Sequence, residues 1–292
     1  GRRCHTHAGL PDCDFQMHCS ADTPRPMTRL LKSAALIALT VLAAPIYAQV
    51  PDNIAQIEVR PGWRGADGLH RGALDITLAP GWKTYWRAPG EGGIPPLFNW
   101  SGSENLGALE VSFPVPSVFT QNGLRSFVYE TRVTLPFFAT PGRKGDDITL
   151  RGQIELGVCL DICIPVQVNL TALLPADGPH DPVISEAFED RPMTSREAGI
   201  SRVSCAIEPV SDGMRVTASV AMAPLAAEEA AVMEHPDPSI WVSPASVRRN
   251  GNDLIAVADL VPPSAQPFVL SRSSLTITVF SGGHAVEIAG CN

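Results

Sequence analysis

The chain reads IELGVCLDICIPVQVNL from residue 154 to residue 170, and this stretch decides the fold. Apolar residues occupy alternate positions before the first cysteine and after the second one, which is the pattern of β-strands with one buried face. Three residues, 160–162, separate the two cysteines, and loops of that length are common in β-hairpins. The stretch therefore predicts an antiparallel hairpin whose first strand ends at Cys159 and whose second strand begins at Cys163.

Strand parity places both cysteines on the polar face of this hairpin. Cys159 shares its face with Glu155, and Cys163 shares its face with Gln167. Opposed residues of an antiparallel pair lie about 4.5–5.5 Å apart at Cα, which is within the range that a disulfide spans. We therefore expect two sulfurs that form and break their bond with little movement, and that a partner protein can reach.

Short apolar runs, separated by turns rich in proline and glycine, continue through the rest of the chain. Hydrophobic residues make up 45% of the 292 residues, too many for a disordered chain, and 27 prolines and 24 glycines separate the runs. This composition predicts an all-β protein, with an immunoglobulin-like β-sandwich followed by a second, smaller mostly-β domain. Strands are expected at 54–60, 72–78, 108–113, 127–138, 147–158 and 163–173, and then at 203–207, 214–222, 240–242, 254–260, 275–280 and 285–289.

Five segments are expected along the chain. Residues 27–48 have a basic start and an apolar run at 34–44, which is typical of a signal peptide that is removed before Gln49. Residues 1–26 are then an upstream segment that is not native, because such a signal begins the protein. The first domain is expected at 50–175. A linker follows at 176–201 and is expected to contain a short helix near 183–188. The second domain is expected at 202–292, with one helix at 224–234.

Charge and export limit the classes of partner. The whole chain has a net charge of −8, and without residues 1–48, which carry five basic and three acidic residues, the charge is −10. Such a charge argues against binding of nucleic acid. The apolar run of the signal is too short to span a membrane, so we expect a periplasmic protein that is not itself membrane-spanning once it is processed.

Four cysteines remain after the signal, and an even number in an exported protein is typical of disulfide pairing. Cys205 shares a strand face with the apolar residues Val203 and Ile207, and Cys291 lies one residue from the end of the sequence. A bond between them ties the ends of the second domain together, so we interpret this pair as a structural disulfide.

The hairpin pair allows three interpretations. Its small loop stabilises the fold little, which favours a redox role, because a second thiol can resolve a mixed disulfide. A non-catalytic binding module whose hairpin disulfide is structural is the alternative. A copper-tolerance protein whose two thiolates bind Cu(I) is the third interpretation.

Three segments carry a resemblance to a known family: GWKTYW at 81–86, YETRVTLP at 129–136, and GVC through CIP at 157–165. Together they resemble the N-terminal periplasmic domain of the thiol:disulfide interchange protein DsbD, and more closely the N-terminal region of the copper-sensitivity suppressor ScsB. The resemblance covers about residues 50–175 and implies an immunoglobulin-like domain with a redox cysteine pair. It also implies protein-disulfide reductase activity without a bound cofactor, since the cysteines carry the electrons.

The resemblance assigns roles to particular residues. Cys163 would attack the target disulfide and Cys159 would resolve the mixed disulfide. An aromatic cap loop would shield the pair near residues 117–127, where Phe119 or Leu124 takes the place of the Phe-Tyr pair of DsbD. The cysteines of DsbD are also spaced further apart. The implied partners are periplasmic thioredoxin-like proteins, which receive electrons, and a membrane-embedded electron-transfer protein, which supplies them.

Overall fold

The computed structural model describes residues 54–291, so the upstream segment and the signal peptide lie outside the described residues. Within that range the chain forms nineteen β-strands, one α-helix and one short 3₁₀ helix. The expected all-β, immunoglobulin-like class is confirmed. The strands build two β-sandwiches, one after the other along the chain.

The first sandwich contains ten strands that form two sheets. These strands are β1 (Ala55–Arg64), β2 (His70–Leu78), β3 (Lys83–Gly90), β4 (Leu97–Asn99), β5 (Leu106–Val111), β6 (Ser117–Gln121), β7 (Leu124–Glu130), β8 (Arg132–Pro141), β9 (Ile148–Cys159) and β10 (Cys163–Leu174). One sheet has the order β1-β2-β8-β5. The other has the order β10-β9-β3-β7-β6, with β4 also paired to β9, so β10 is an edge strand.

Alternating apolar side chains of the two sheets meet in one core. Leu74 and Ile76 of β2 and Leu135 of β8 face Ile154 and Leu156 of β9, and all five are essentially inaccessible to solvent. This is the side-chain alternation that the sequence predicts for strands with one buried face. The core therefore fixes the register of β9, and with it the position of the cysteine hairpin.

Asp75 ties the two central strands of the smaller sheet together on the outside. Its carboxylate accepts hydrogen bonds from Arg132 and Thr134 of β8, and from Arg60 of β1. The hydrogen bond from Arg132 is the largest cause that lowers the pKa of Asp75, and it outweighs the opposing effect of burial. The charged form of Asp75 is therefore favoured in the folded protein.

The strand expected at residues 127–138 is two strands, β7 and β8, which belong to different sheets. Thr131 lies between them with a φ of 63°, in the left-handed region that turns use. The chain leaves one sheet and enters the other at this residue, so the side-chain alternation changes phase there. A single period-two pattern over 127–138 was therefore the wrong prediction.

The connector between the sandwiches contains the helix that the sequence predicts. Helix α1 spans Pro182–Glu189, and the Asp181 side chain caps it by accepting a hydrogen bond from the Val183 amide. Proline at the first helical position suits this start, because its missing N–H has no partner within the helix. The short strand β11 (Met193–Thr194) follows and pairs in parallel with β19 (His284–Ala289) of the second sandwich.

The second sandwich also has two sheets. Its other strands are β12 (Arg202–Pro209), β13 (Met214–Ala221), β14 (Ala230–Glu234), β15 (Trp241–Val242), β16 (Ser246–Asn250), β17 (Asp253–Val261), β18 (Thr276–Ser281) and β19 (His284–Ala289), with a 3₁₀ helix at Arg272–Ser274. One sheet has the order β11-β19-β18-β14. The other has the order β12-β13-β17-β15, with β16 also paired to β17.

The helix expected at residues 224–234 is not formed. Residues 230–234 instead form strand β14, and Glu229, just before it, binds Arg249 of β16 through both carboxylate oxygens. Ala231 and Met233 are buried in the core of the second sandwich. Alanine and glutamate favour helices only weakly, and tertiary contacts override that preference here.

Aromatic packing joins the two sandwiches. Trp86 of β3 is fully buried, and its ring lies 5.1 Å from the ring of Phe280 of β18 in an edge-to-face arrangement. Phe127 of β7 lies 4.6 Å from the same Phe280 ring. Phe280 therefore extends the core of the first sandwich into the second.

Beside these rings, Arg87 makes an ion-pair cluster between the sandwiches. Its guanidinium donates two hydrogen bonds of 2.9 Å to Glu234 of β14 and another to Glu287 of β19. Burial opposes the charge of Arg87, but the two carboxylates outweigh burial and raise the pKa of Arg87 above its ordinary value. Residues 86 and 87 therefore anchor strand β3 to the second sandwich.

Candidate functional site

The two cysteines of the hairpin are bonded across it. Cys159, the last residue of β9, pairs in register with Cys163, the first residue of β10. Their Cα atoms lie 4.1 Å apart and their sulfur atoms form a disulfide. The three-residue loop between them is closed by a hydrogen bond from the Leu160 amide to the Ile162 carbonyl. Hairpin and disulfide are thus as the sequence predicts.

The two sulfurs differ in exposure. Cys163 is exposed, whereas Cys159 is only 5% exposed, so the expectation that a partner reaches both thiols is wrong for Cys159. Both side chains lie on the outer face of the sheet, as their parity predicts. Cys159 lies on an interior strand, however, where Tyr85 and Val128 from neighbouring strands bury it, while Cys163 lies on the sheet edge.

The hydroxyl of Tyr85 is the polar group next to the exposed sulfur. It lies 3.5 Å from Cys163 Sγ and 3.4 Å from the carbonyl oxygen of Gly92. A disulfide sulfur carries no proton, so the phenol is the donor to either acceptor. Burial raises the pKa of Tyr85, so this donor keeps its proton at neutral pH.

Two glycines let the loop after β3 pack against this site. A Cβ atom on Gly93 would lie 2.5 Å from the Tyr85 ring, and one on Gly157 would lie 2.5 Å from Ile94 Cβ. Both distances are far below van der Waals contact, so any side chain there would push the loop away. Glycine at these positions therefore keeps the Gly92 carbonyl within reach of the Tyr85 hydroxyl.

Phe119 of β6 covers the buried sulfur. It packs against the cluster of Tyr85, Val128 and Cys159, and the ammonium of Lys83 lies 4.4 Å from the centre of its ring. That distance is typical of a cation–π interaction. Lys83 is also the residue of β3 that pairs with Cys159, and its ammonium lies 3.8 Å from Glu130 of β7.

Leu124, the other residue expected in a cap, lies elsewhere. It begins β7, is 48% exposed, and is not part of the cluster around Cys159. The structure thus brings Phe119 to the cysteine pair and leaves Leu124 on the open surface near the second sandwich.

Sequence reasoning missed Tyr85 and Lys83 because it left out strand β3. The segment 83–86 contains threonine, tyrosine and tryptophan, which are enriched in strands, and this signal was sufficient to predict it. The proline at 89 and the glycines that follow favoured a loop instead. Strand β3 nevertheless continues past Pro89 and ends at Gly90.

The second cysteine pair lies in the other sandwich. Cys205 of β12 and Cys291 near the chain end are bonded, with Cα atoms 5.7 Å apart and a separation of 86 positions in sequence. Cys205 is 5% exposed and belongs to the core, where its carbonyl accepts a hydrogen bond from Arg272. This bond links the first long strand of the second sandwich to the last residues described.

Among residues 54–291, no three or more His, Cys, Asp and Glu side chains are grouped so that they could hold a metal ion. Met214, Met222 and Met233 are the methionines that could assist two thiolates in binding Cu(I), and the last two are buried in the core of the second sandwich. No helix in the described part of the chain has the length and hydrophobicity to cross a membrane.

Comparison with known proteins agrees with this site. Residues 51–175 match the family model described as thiol:disulfide interchange protein DsbD, N-terminal. No curated protein sequence matches the chain significantly. Among solved structures, the crystal structure of the N-terminal periplasmic domain of ScsB from Proteus mirabilis matches with a TM-score of 0.63 and 24% identity, over 82% of this chain and 94% of that chain.

The two comparisons cover different parts of the molecule. The likeness to the ScsB domain is one of fold, and its extent takes in both sandwiches. The family match covers the sandwich that carries Cys159 and Cys163. Residues 51–175, which form the first sandwich, therefore match the family of DsbD N-terminal domains.

Proposed function

We propose that this chain is a periplasmic electron relay. A membrane-embedded dithiol protein reduces the disulfide of Cys159 and Cys163, and the resulting dithiol then reduces thioredoxin-like partners in the periplasm. The family match over residues 51–175 supports the chemistry, and the matching solved domain is described as periplasmic. The observation that carries the proposal is the unequal exposure of the two sulfurs, because it separates the roles of attacking and resolving thiol.

The forward reaction has two steps. The thiolate of Cys163 attacks one sulfur of the partner disulfide, that disulfide breaks, and one partner thiolate leaves as a mixed disulfide forms. The thiolate of Cys159 then attacks Cys163 Sγ, which restores the internal disulfide and releases the second partner thiolate. Two electrons and the two protons of the former thiols pass to the partner. The dithiol of the membrane protein then supplies two electrons and two protons to the disulfide of this chain, which regenerates the dithiol of Cys159 and Cys163.

The geometry fits this order of events. Cys163 is exposed at the sheet edge, where a partner sulfur can approach it, whereas Cys159 lies under Tyr85 and Phe119. Their Cα separation of 4.1 Å lets Cys159 reach Cys163 Sγ without movement of the backbone. A buried resolving thiol reacts only with the sulfur that is already beside it.

The tip of the hairpin supports contact with another protein. Leu160 and Ile162 flank Asp161 there, and they are 42% and 72% exposed. Large apolar side chains that remain exposed next to a reactive group are typical of a surface that a partner covers.

The two single-cysteine variants test the proposal. Cys159→Ala leaves the exposed thiol without its resolving partner, so we expect a stable mixed disulfide when it reacts with an oxidised thioredoxin. Cys163→Ala is the matched control, because it leaves a single thiol that is buried, and it should form little or no adduct. Non-reducing electrophoresis and intact mass measure both adducts.

Two outcomes would overturn the relay. The first is failure of Cys159→Ala to form any adduct, together with a reduction potential of the wild-type pair below about −300 mV, which is the range of inert structural bridges. That result would favour the structural hairpin disulfide. The second is stoichiometric Cu(I) binding that is lost when both cysteines are replaced, in a protein that forms no adducts, which would favour copper binding.

A further inference from the structure

Strand β3 leaves its neighbour β7 just after the tyrosine that lies beside the exposed sulfur. Tyr85 pairs with Val128, but the next paired residue of β3 is Gly90, which pairs with Ser126. Residues 86–89 of β3 therefore lie opposite a single residue of β7. A bulge of this kind interrupts the hydrogen bonds between two strands, so the loop after β3 depends on other contacts for its position.

Glu91, the first residue of that loop, attaches it to β7. Its amide donates a hydrogen bond of 2.9 Å to the Arg125 carbonyl, and its carboxylate accepts one of 2.9 Å from the Arg125 amide. In a regular antiparallel pair the backbone carbonyl of Glu91 would accept the second bond, so here the side chain takes that place. Glu91 is exposed, so its side chain contributes this bond rather than packing.

The attached loop presents a carbonyl group to the exposed sulfur. Gly92 follows Glu91 directly, and its carbonyl oxygen lies 3.7 Å from Cys163 Sγ. After reduction the Cys163 thiol can donate its proton to that oxygen. The same oxygen lies 3.4 Å from the Tyr85 hydroxyl and competes with the sulfur for its proton. Both effects favour the protonated thiol of Cys163 over the thiolate.

The strand that Glu91 binds is a firm support for the loop. Strand β7 lies inside its sheet, between β3 and β6. Ser126 of β7 pairs with Phe119 of β6, and Phe119 packs against the cluster that contains Cys159. The bond between Glu91 and Arg125 therefore joins the loop beside the exposed sulfur to the hairpin over the buried one.

We propose that Glu91 is a positioning residue for the redox pair. By holding the Gly92 carbonyl beside Cys163, it keeps this cysteine mainly as the thiol in the free, reduced protein and slows its reaction with small disulfides. The inference rests on the proposed function, because it concerns the reduced pair that the relay uses. The thiolate is the form that attacks a disulfide, so a low thiolate fraction preserves the reduced pair until a partner arrives.

The test is the rate at which Cys163 reacts with a neutral dipyridyl disulfide between pH 7 and pH 10, with the Cys159→Ala protein as the parent. Attack by the thiolate breaks the reagent disulfide, joins one pyridyl sulfur to Cys163 and releases the other, whose absorbance is followed. The Glu91→Ala variant loses the bond to the Arg125 amide, which frees the loop. Glu91→Gln is the matched control, because its amide oxygen still accepts that bond although the charge is gone.

Other ionisable groups lie on the elements around the pair. They belong to β3, β7, β9 and the hairpin loop, and they are Lys83, Tyr85, Arg125, Glu130, Glu155 and Asp161. All of them are the same in the parent and in both variants at position 91. A change that the Glu91→Ala variant shows and the Glu91→Gln variant does not show is therefore an effect of the bond and not of the charge.

We expect the Glu91→Ala variant to react about twofold to threefold faster than its parent near pH 7 and about twofold more slowly near pH 10. One net hydrogen bond to the thiol corresponds to about a fivefold change in the thiolate fraction. The less basic thiolate is about twofold less nucleophilic, for a Brønsted coefficient of about 0.4–0.5. The Glu91→Gln variant should follow the parent throughout. A site that is only loosened would react faster at both ends of the range.

Hydrogen exchange of the Arg125 amide in the oxidised protein gives a second readout. This amide should exchange at least about fivefold faster in the Glu91→Ala variant than in the parent or the Glu91→Gln variant, which corresponds to one net hydrogen bond. Equal pH profiles for the three proteins, or equal profiles for the two variants at position 91, would overturn the role of Glu91 and leave the relay intact. Failure of the parent to form a mixed disulfide with an oxidised thioredoxin would overturn the relay and this role with it.

Discussion

Replacement of Tyr85 by phenylalanine isolates the contribution of one hydroxyl to the reactivity of Cys163. The hydroxyl lies 3.5 Å from Cys163 Sγ and 3.4 Å from the Gly92 carbonyl, so in the oxidised protein its proton has two acceptors at similar distances. Reduction turns the sulfur into a thiol, and the thiolate that this thiol forms is a charged acceptor that makes the stronger bond. Phenylalanine keeps the ring that covers Cys159 and removes only the hydroxyl, with its bonds to Cys163 and to the Gly92 carbonyl.

The magnitude follows from two opposing effects. A hydrogen bond to a charged group contributes about 1.5–3 kcal/mol, and the exposure of Cys163 favours the lower end of this range. Loss of that bond lowers the thiolate fraction of Cys163 about tenfold in the variant near neutral pH. The thiolate that does form is more basic and therefore about threefold more nucleophilic, for a Brønsted coefficient of about 0.4–0.5. We therefore expect the Tyr85→Phe variant to react about threefold more slowly than its parent near pH 7. Near pH 10, where Cys163 is ionised in both proteins, it should react about threefold faster.

The assay is the rate of reaction of Cys163 with a neutral dipyridyl disulfide, followed by absorbance in the Cys159→Ala background across this pH range. A crossing of the two pH profiles is the specific signature of the lost bond. Looser packing over the site would raise the rate at both ends, and an irrelevant hydroxyl would leave both unchanged. A variant whose profile does not cross that of the parent therefore refutes the role assigned to Tyr85.

Three further outcomes are expected. Phe119→Ala should raise the alkylation rate of the reduced Cys159 severalfold, as mapped by peptide mass, whereas Leu124→Ala should not, because of these two residues only Phe119 packs against the cluster that contains Cys159. Removal of the Cys205–Cys291 bond should lower the free energy of unfolding, measured with denaturant, by about 5 kcal/mol, because the two cysteines are 86 positions apart. Opening the hairpin disulfide should lower it by only about 2 kcal/mol. Equal losses would contradict this reasoning. The lowered pKa of Asp75 means that its contribution to the free energy of unfolding is present above about pH 4 and is lost as the pH falls through the folded value, so Asp75→Asn should flatten that part of the stability profile.

The local sequence pattern was sufficient to predict the hairpin, but it was not sufficient to predict the residues that surround the hairpin. The alternation on both sides of the cysteines gives the strands, the three-residue loop and the facing pair, and all of these depend on residues close in sequence. The burial of Cys159 depends instead on Phe119 and Val128, which reach it across neighbouring strands. Parity assigns a residue to a face of a sheet, but it does not show whether another strand covers that face.

The incorrect helix at residues 224–234 has a related cause. Its alanines and glutamates have a helical preference of a few tenths of a kcal/mol each. In the fold, Glu229 binds Arg249 and Glu234 binds Arg87, so the charges that suggested a solvated helix form long-range ion pairs. Contacts of this kind join residues far apart in sequence, and no pattern within the segment reveals them.

Strand β3 connects the disulfide to the second sandwich through consecutive residues. Side chains alternate along it, so Tyr85 faces the cysteines on the outer face while Trp86 enters the core and meets Phe280. The next residue, Arg87, is held by two carboxylates of the second sandwich. Because Tyr85 precedes these anchors directly, the contacts that join the two sandwiches also fix the position of its hydroxyl. The second sandwich therefore helps to position the surroundings of the cysteine pair without contributing a residue to them.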